Sequence, residues 1–269
     1  MTAILIIAAI IVLLAALYIF VFIRPRAKKP SDERLVTDYA HRGLHGDGAP
    51  ENSLAAFALA AKKGYGIELD VQLSKDGEVM VFHDYTLSRM TGREGLLADF
   101  TADELRSLKL ADSDEHIPTL SEVLSLIDGS VPLLVELKGE STDTSLCEPL
   151  VRLLSQYSGV YCIESFNPIL LGKMSKLMPN VWRGLLYTNV VRDKKRASVL
   201  NLALTAMLTN VIAKPNFIAY NYVDRRSLAV RICSCFWRAG RFSWTIRSLD
   251  EYRRAKISGE CAIFENFTP

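Results

Sequence analysis

Apolar positions follow two rhythms along this chain. Residues 1–23 form an almost wholly apolar block with no charged side chain. From residue 36 onward, short β-branched and apolar runs alternate with stretches of helical period. That alternation predicts a parallel sheet with helical crossovers. The strand candidates are 36–41, 66–73, 79–83, 132–138, 160–166, 183–187, 217–220, 241–246 and 261–265. After the apolar block and the charged segment behind it, roughly 235 residues remain, near the typical (β/α)8 barrel of about 250. The candidates outnumber the barrel's eight places by one. Ser74-Lys75-Asp76-Gly77 resolves the excess, because so short a connection joins antiparallel strands. The 79–83 run is therefore expected as the return arm of a hairpin above the barrel, bringing His83 back beside Asp70.

Helix signals lie between the strands. Asn52 is the expected N-cap of a helix over 53–63, with Leu54, Phe57, Ala58 and Ala61 on one face. Thr101-x-x-Glu104 reads as a capping box opening a helix through Leu108. Thr119 or Ser121 is placed to start the helix 122–127. Residues 84–118 are long for one crossover and read as a small insertion beside the barrel mouth. The apolar run 199–212 follows a basic cluster of Arg192, Lys194, Lys195 and Arg196. It is read as a crossover helix packed on the barrel. The sharper alternative is an element of the 192–212 segment that rests on anionic lipid.

The first block is long enough to cross a bilayer, which takes about 20 apolar residues. A cleaved signal peptide would carry basic residues before the apolar run and a small-residue cleavage site after it. Here Arg24, Arg26, Lys28 and Lys29 come after it, and the expectation is an uncleaved anchor. The positive-inside rule then places the barrel in the cytoplasm. The expected organisation is a transmembrane anchor at 1–23, a basic linker at 24–35 and a barrel domain at 36–269. The cysteines (Cys147, Cys162, Cys233, Cys235 and Cys261) are odd in number and lack framework or zinc spacing. They read as buried free thiols of a reducing compartment. A formal net charge of +2 argues against a strongly basic nucleic-acid binder.

The chemistry gathers at the predicted strand ends. In Ile67-Glu68-Leu69-Asp70-Val71 the carboxylates share one face and the apolar side chains share the other. The outer face of a barrel strand must meet helices, so Glu68 and Asp70 are expected to point inward at the C-terminal rim. Leu134-Val135-Glu136-Leu137-Lys138 repeats the arrangement with Glu136 and Lys138. A single alternating pair would suit a half-solvated edge strand equally well. Two such strands converging make an oxygen-rich site for a hard cation such as Mg²⁺ or Ca²⁺. His41 and His83 stand at strand ends beside these carboxylates, and an imidazole titrating near 6.5 serves as acid or base at neutral pH. Arg42 offers a fork suited to phosphate. His45 and His116 read as a loop residue and a surface residue. Gly43–Gly48 lacks the Gly-Lys-Ser/Thr of a nucleotide P-loop, and no Gly-x-Ser-x-Gly elbow is present.

These motifs resemble the glycerophosphodiester phosphodiesterase family. The resemblance rests on His41-Arg42-Gly43, Pro50-Glu51-Asn52, Glu68-Leu69-Asp70-Val71, Lys75-Asp76-Gly77, His83-Asp84, Ile117-Pro118-Thr119-Leu120, Glu136-Leu137-Lys138, Ser165-Phe166 and Trp244-Thr245. It covers about residues 37–269. It implies a metal-dependent TIM-barrel hydrolase that releases glycerol 3-phosphate and an alcohol through a cyclic phosphate. It further implies Glu68, Asp70 and Glu136 as metal ligands, His41 and His83 as the acid/base pair, and Arg42 and Lys138 as phosphate-neutralising groups. Glu51 falls where the family has a second acidic residue near the site, and would orient Arg42 or a metal-bound water. The chain departs from the family pattern at Arg247, where the family often has Asn, and at Glu265 in the closing segment. Both are expected on the pocket wall, bearing on substrate choice and not on catalysis. A glycerophosphodiester is the expected substrate, with a lysophospholipid or other lipid phosphodiester as the alternative. An inactive membrane-bound binding barrel would lack one of these histidines or carboxylates, and all are present.

Overall fold

The structure is a computed structural model that describes every residue except Asp47 and Glu140. Its strands are β1 (Tyr39–Ala40), β2 (Gly66–Leu73), β3 (Val79–Val81), β4 (Leu133–Leu137), β5 (Tyr161–Ser165), β6 (Arg183–Tyr187), β7 (Phe217–Asn221), β8 (Gly240–Ile246) and β9 (Cys261–Phe264). Eight of them pair in parallel, in the order β1-β9-β8-β7-β6-β5-β4-β2, and a further β1–β2 pairing closes the barrel. The ninth, β3, runs antiparallel to β2 through Val71↔Val81 and Leu73↔Val79. β2 therefore outruns its barrel neighbours and carries the hairpin above the rim.

Strand alternation decides what lies inside. Tyr39, Leu134, Cys162, Trp182, Phe217 and Phe242 are buried and pack together across the lower interior. The ring centroids of Phe217 and Phe242 are 4.4 Å apart, and those of Trp182 and Phe217 are 4.5 Å apart. This aromatic floor needs room. A Cβ at Gly184 would lie 2.0 Å from the Phe217 ring, so β6 carries a glycine there. The opposite strand faces, including Ile67, Leu69, Val71, Val135 and Leu137, pack outward against the helices.

The helix over 54–62 starts one residue later than expected. Ser53, not Asn52, is its N-cap and accepts a hydrogen bond from Ala56 N. Asn52 instead adopts a φ of 57° and turns its side chain to β2. A cap needs extended backbone, which Asn52 lacks and Ser53 has. The expected capping box of Thr101 with Glu104 is present, and Thr119, not Ser121, starts the next helix, forming a second box with Glu122. The first of these helices ends at Arg106, short of Leu108. The insertion after β3 has its own small core of Leu87, Leu97, Leu105, Leu110 and Ile117 against Met80 and Phe82.

The 199–212 run is not one helix. It splits into Val199–Thr205 and Asn210–Ala213, with buried Met207 at a φ of 51° between them. Val199, Leu200 and Leu202 face outward, while Met207 and Ala213 pack inward. Four cysteines are buried and free; Cys235 is exposed.

Thr2–Phe22 is long and apolar enough to cross a membrane, and none of its 18-residue apolar window is buried. Its foot is fastened to the barrel. Tyr18 Oη donates to Ala206 O at 3.1 Å, Trp237 Nε1 donates to Ile19 O at 3.1 Å, and Asn210 Nδ2 donates to Ile23 O at 2.6 Å. The segment expected as a linker is seated too. Arg26 N donates to Pro215 O, Trp182 Nε1 donates to Lys28 O, and Leu35 joins the barrel interior.

Candidate active site

One line of register builds the centre of the mouth: Asp70 lies opposite Glu136, and Glu136 lies opposite Glu164. All three are inward positions of β2, β4 and β5. Glu68 lies one inward step below Asp70. Glu68, Asp70 and Glu136 are buried, and each offers one oxygen within 4.8 Å of the others. Lys138 Nζ stands 3.0 Å from Glu136 Oε1 and 3.3 Å from Asp70 Oδ1.

Burying this many carboxylates is costly, and the cost appears in their protonation. Burial, then the charges of Asp70 and Glu136, push the Glu68 carboxyl well up. Glu136 rises to about 7, because burial and Asp70 outweigh the lowering by Lys138. Glu164 is pushed up by burial and by Glu136. Asp70 goes the other way: burial would raise it, but Lys138, His83 and Arg42 hold it well below the usual carboxylate range. Glu164 Oε2 is buried without a hydrogen-bond partner. An all-oxygen donor set whose buried members repel one another fits a hard divalent cation.

Each histidine beside this centre is held at Nδ1 by a carboxylate. His41 follows β1, and its Nδ1 lies 2.5 Å from Glu265 Oε2, while Nε2 is 4.0 Å from Glu68 Oε2. His83 follows β3, and its Nδ1 lies 2.6 Å from Asp84 Oδ1. A carboxylate at Nδ1 fixes the tautomer and leaves Nε2 free to take or give a proton. Burial lowers both imidazoles; Glu265 partly offsets this at His41, and Asp70 at His83. Gln72 holds the His83 loop: its Nε2 donates to the carbonyls of Phe82, His83 and Asp84, at 2.8, 3.2 and 2.8 Å.

Arg42 is turned by a tight backbone. Its φ is 56°, and its own N–H donates to Glu68 Oε2 at 2.8 Å. Gly43 continues the turn at φ 81°, where a Cβ would meet Ala56 at 2.9 Å. The guanidinium pairs with Glu51 at 2.8 Å, and its Nε lies 3.4 Å from Asp70. Arg89, from the insertion, clamps Glu51 at 2.6 Å and Asp84 at 2.5 Å. Asn52 Nδ2 donates to Asp70 Oδ2 at 2.9 Å.

The structure brings together all eight residues expected at the site: His41, Arg42, Glu51, Glu68, Asp70, His83, Glu136 and Lys138. Five more belong to it. Glu164 and Gln72 lay in predicted strands, and the same alternation that singled out Glu68 and Asp70 gives their direction. Asn52 reads as a helix cap in the sequence, Asp84 stands in the His83-Asp84 motif without a role of its own, and Arg89 carries no spacing signal. Glu265 and Arg247 require a correction. Arg247 Nε donates to Glu265 Oε1 at 2.6 Å, and Glu265 holds His41. The two departures therefore form a relay behind a candidate acid/base group, and not merely a pocket wall. His45 lies 4.0 Å from Glu265 and lines a cavity of about 380 Å³ beside it.

A model of the glycerophosphoryl diester phosphodiesterase family matches residues 41–228. The chain is 40% identical to a glycerophosphodiester phosphodiesterase of Caldanaerobacter subterraneus over 159 residues, covering 55% of this chain and 65% of the relative. It is 30% identical to one of Bacillus subtilis over 222 residues, covering 74% of each. The match thus spans just under two thirds of the Caldanaerobacter relative. Among solved structures, an Oleispira antarctica phosphodiesterase in complex with the product sn-glycerol-3-phosphate superposes with a TM-score of 0.70 at 26% identity. That match covers 85% of this chain and 92% of the other.

Glu265 also sets an acid limit. Burial would raise its carboxyl, but the bond to His41 and then Arg247 bring it from 4.5 down to about 2. Its contribution to stability is therefore complete above about 4.5 and is lost as pH falls toward 2. Melting temperatures of the wild type and of Glu265→Gln should differ most near neutral pH. The gap should narrow below about pH 4.5. A gap constant with pH would contradict this pairing.

Proposed function

Since the chain belongs to the glycerophosphoryl diester phosphodiesterase family, we propose that it hydrolyses a glycerophosphodiester to glycerol 3-phosphate and an alcohol. The observation that carries this reading is the arrangement at the mouth. Three buried carboxylates lie within 4.8 Å of one another, and two histidines beside them are each held at Nδ1 by a carboxylate.

Glu68, Asp70 and Glu136 would hold one divalent cation, Mg²⁺ or Ca²⁺. When bound, it supplies Lewis-acid polarisation of a phosphoryl oxygen. Arg42 and Lys138 neutralise the phosphate charge as it grows. A free glycerol hydroxyl of the substrate attacks phosphorus, and Nε2 of one histidine takes its proton. Nε2 of the other histidine gives a proton to the departing alcohol oxygen as its bond to phosphorus breaks. Water then opens the cyclic phosphate with the two roles reversed, which restores both imidazoles. Glu265 and Asp84 orient the rings, and Glu51 with Arg89 steadies Arg42.

A second reading, hydrolysis of a lysophospholipid or another lipid phosphodiester, draws on Phe166. This side chain follows β5 at the mouth, is exposed, and stacks edge-on against Trp244 at 5.5 Å. It offers an apolar wall to an acyl chain.

Product analysis on glycerophosphocholine and lysophosphatidylcholine, with and without EDTA, tests both readings. Glycerol 3-phosphate should appear from the first substrate, vanish with EDTA and return with excess Mg²⁺ or Ca²⁺. His41→Ala and His83→Ala should each lower kcat by about 10²–10⁴-fold. Full turnover in EDTA, or by either variant, would refute the mechanism. Lysophosphatidic acid as the main product would favour the second reading.

We further propose that residues 1–23 anchor the protein in a single pass, with residues 24–35 as the basic flank and 36–269 as the catalytic barrel on the cytoplasmic side. The support is the exposed apolar helix followed by four basic residues. Protease added to intact cells should spare the barrel and cleave it once the cells are permeabilised. Cleavage in intact cells would reverse the topology.

A further inference from the structure

A second charged cavity lies on the outside of the barrel, and none of the residues that line it belongs to the carboxylate and histidine site. It sits between the helical segment 228–236, which follows β7, and helix Leu249–Ile257, which follows β8. Its volume is about 500 Å³, within the range of small-molecule sites. Five arginines line it: Arg225, Arg226, Arg231, Arg241 and Arg254. The single lining carboxylate, Glu260, is buried, and its Oε2 has no hydrogen-bond partner.

These arginines differ from those at the mouth. Arg42, Arg89 and Arg247 each pair with a carboxylate at hydrogen-bonding distance. Among the described residues, none of the five around the outer cavity forms an ion pair. Arg225 is nevertheless ordered: it stacks on the Tyr222 ring at 4.1 Å, and its Nη1 donates to Tyr222 O at 3.1 Å. Collecting five like charges around one concavity opposes folding, and one carboxylate does not balance them. Guanidinium forks match phosphate oxygens two at a time, and a phosphomonoester brings nearly two negative charges.

We propose that this cavity binds a phosphomonoester or diphosphate group at a site separate from the mouth. Its position allows two sources. Ser234 and Cys235 line the cavity, and the next two residues pack on the foot of the apolar helix. Phe236 and Trp237 meet Phe20 at 6.0 and 5.7 Å, and Arg24 lies over Trp237 at 4.6 Å. A lipid headgroup would thus reach it from a membrane surface, and a soluble phosphate ester from water.

The test is calorimetric titration of the full chain in neutral detergent micelles. The buffer contains EDTA, so that cation-dependent binding at the mouth does not contribute. The probes are pyrophosphate and dioctanoyl phosphatidate, with dioctanoyl phosphatidylcholine as the neutral control. The wild type should bind the anionic probes saturably. The R231Q/R254Q variant, changed at two exposed positions, should lose one equivalent or weaken about tenfold or more. R253Q, on the same helix outside the cavity lining, should bind as the wild type does. R241Q provides a second variant should the double variant fold poorly. Tighter binding of phosphatidate assigns a headgroup, and tighter binding of pyrophosphate assigns a soluble ester. Wild-type binding by the double variant and by R241Q, or an equal loss in R253Q, would overturn the proposal. So would equal binding of the neutral lipid.

Discussion

Three carboxylates buried within 4.8 Å of one another are the constraint on which the rest of the mouth depends. Left alone, they repel, and burial penalises each charge further. The fold tolerates them because two cations, Lys138 and Arg42, are set against them and the His83 imidazole adds a polar ring beside Asp70. Lys138 comes from the end of β4, Arg42 from the turn after β1, and His83 from the hairpin arm. The positive φ at Arg42 and Gly43 turns Arg42 toward Glu51 and Asp70, and the insertion after β3 brings Arg89 to Glu51 and Asp84. The compensation is incomplete: Glu164 Oε2 lacks a hydrogen-bond partner, and the Glu68 and Glu136 carboxyls stay raised, Glu136 to about 7. That residual imbalance makes the site receptive to a divalent cation.

Much of this was legible in the sequence, because strand alternation is a strict rule. All nine strand candidates form, and the Ser74–Gly77 turn identifies which of them leaves the barrel. The same rule fixes the inward direction of Glu68, Asp70, Glu136 and Lys138 before any contact is known. It applies equally to Gln72 and Glu164, which spacing alone had not singled out. What alternation cannot supply is contact between distant segments. Asn52 looks like a helix cap until its backbone turns to the left-handed region and its amide reaches Asp70. Glu265 is more than two hundred residues from His41 and meets it only because β9 pairs with β1 in the closed barrel. Arg89 depends on the path of an insertion that carries no periodic signal. The break in the 199–212 run depends on Met207, whose left-handed backbone no propensity requires.

The apolar helix and the barrel are one continuous object at their junction. Tyr18, Ile19 and Ile23 are fastened to the helices around β6, β7 and β8, and Arg26 and Lys28 are tied to the segments that lead into β7 and β6. A barrel held this way has a restricted orientation relative to anything the helix enters. Its arginine-lined outer cavity sits at that same junction, whereas the mouth lies at the C-terminal ends of the strands.

Direct calorimetric titration with Mg²⁺ or Ca²⁺ tests whether Glu68, Asp70 and Glu136 together bind a divalent cation. Glu68 and Glu136 are raised, with Glu136 at about 7, so binding near neutral pH must expel protons. The account predicts one saturable equivalent whose heat changes with the ionisation enthalpy of the buffer, and whose affinity falls in Glu136→Gln. Absence of saturable binding, or unchanged binding by Glu136→Gln, would contradict it.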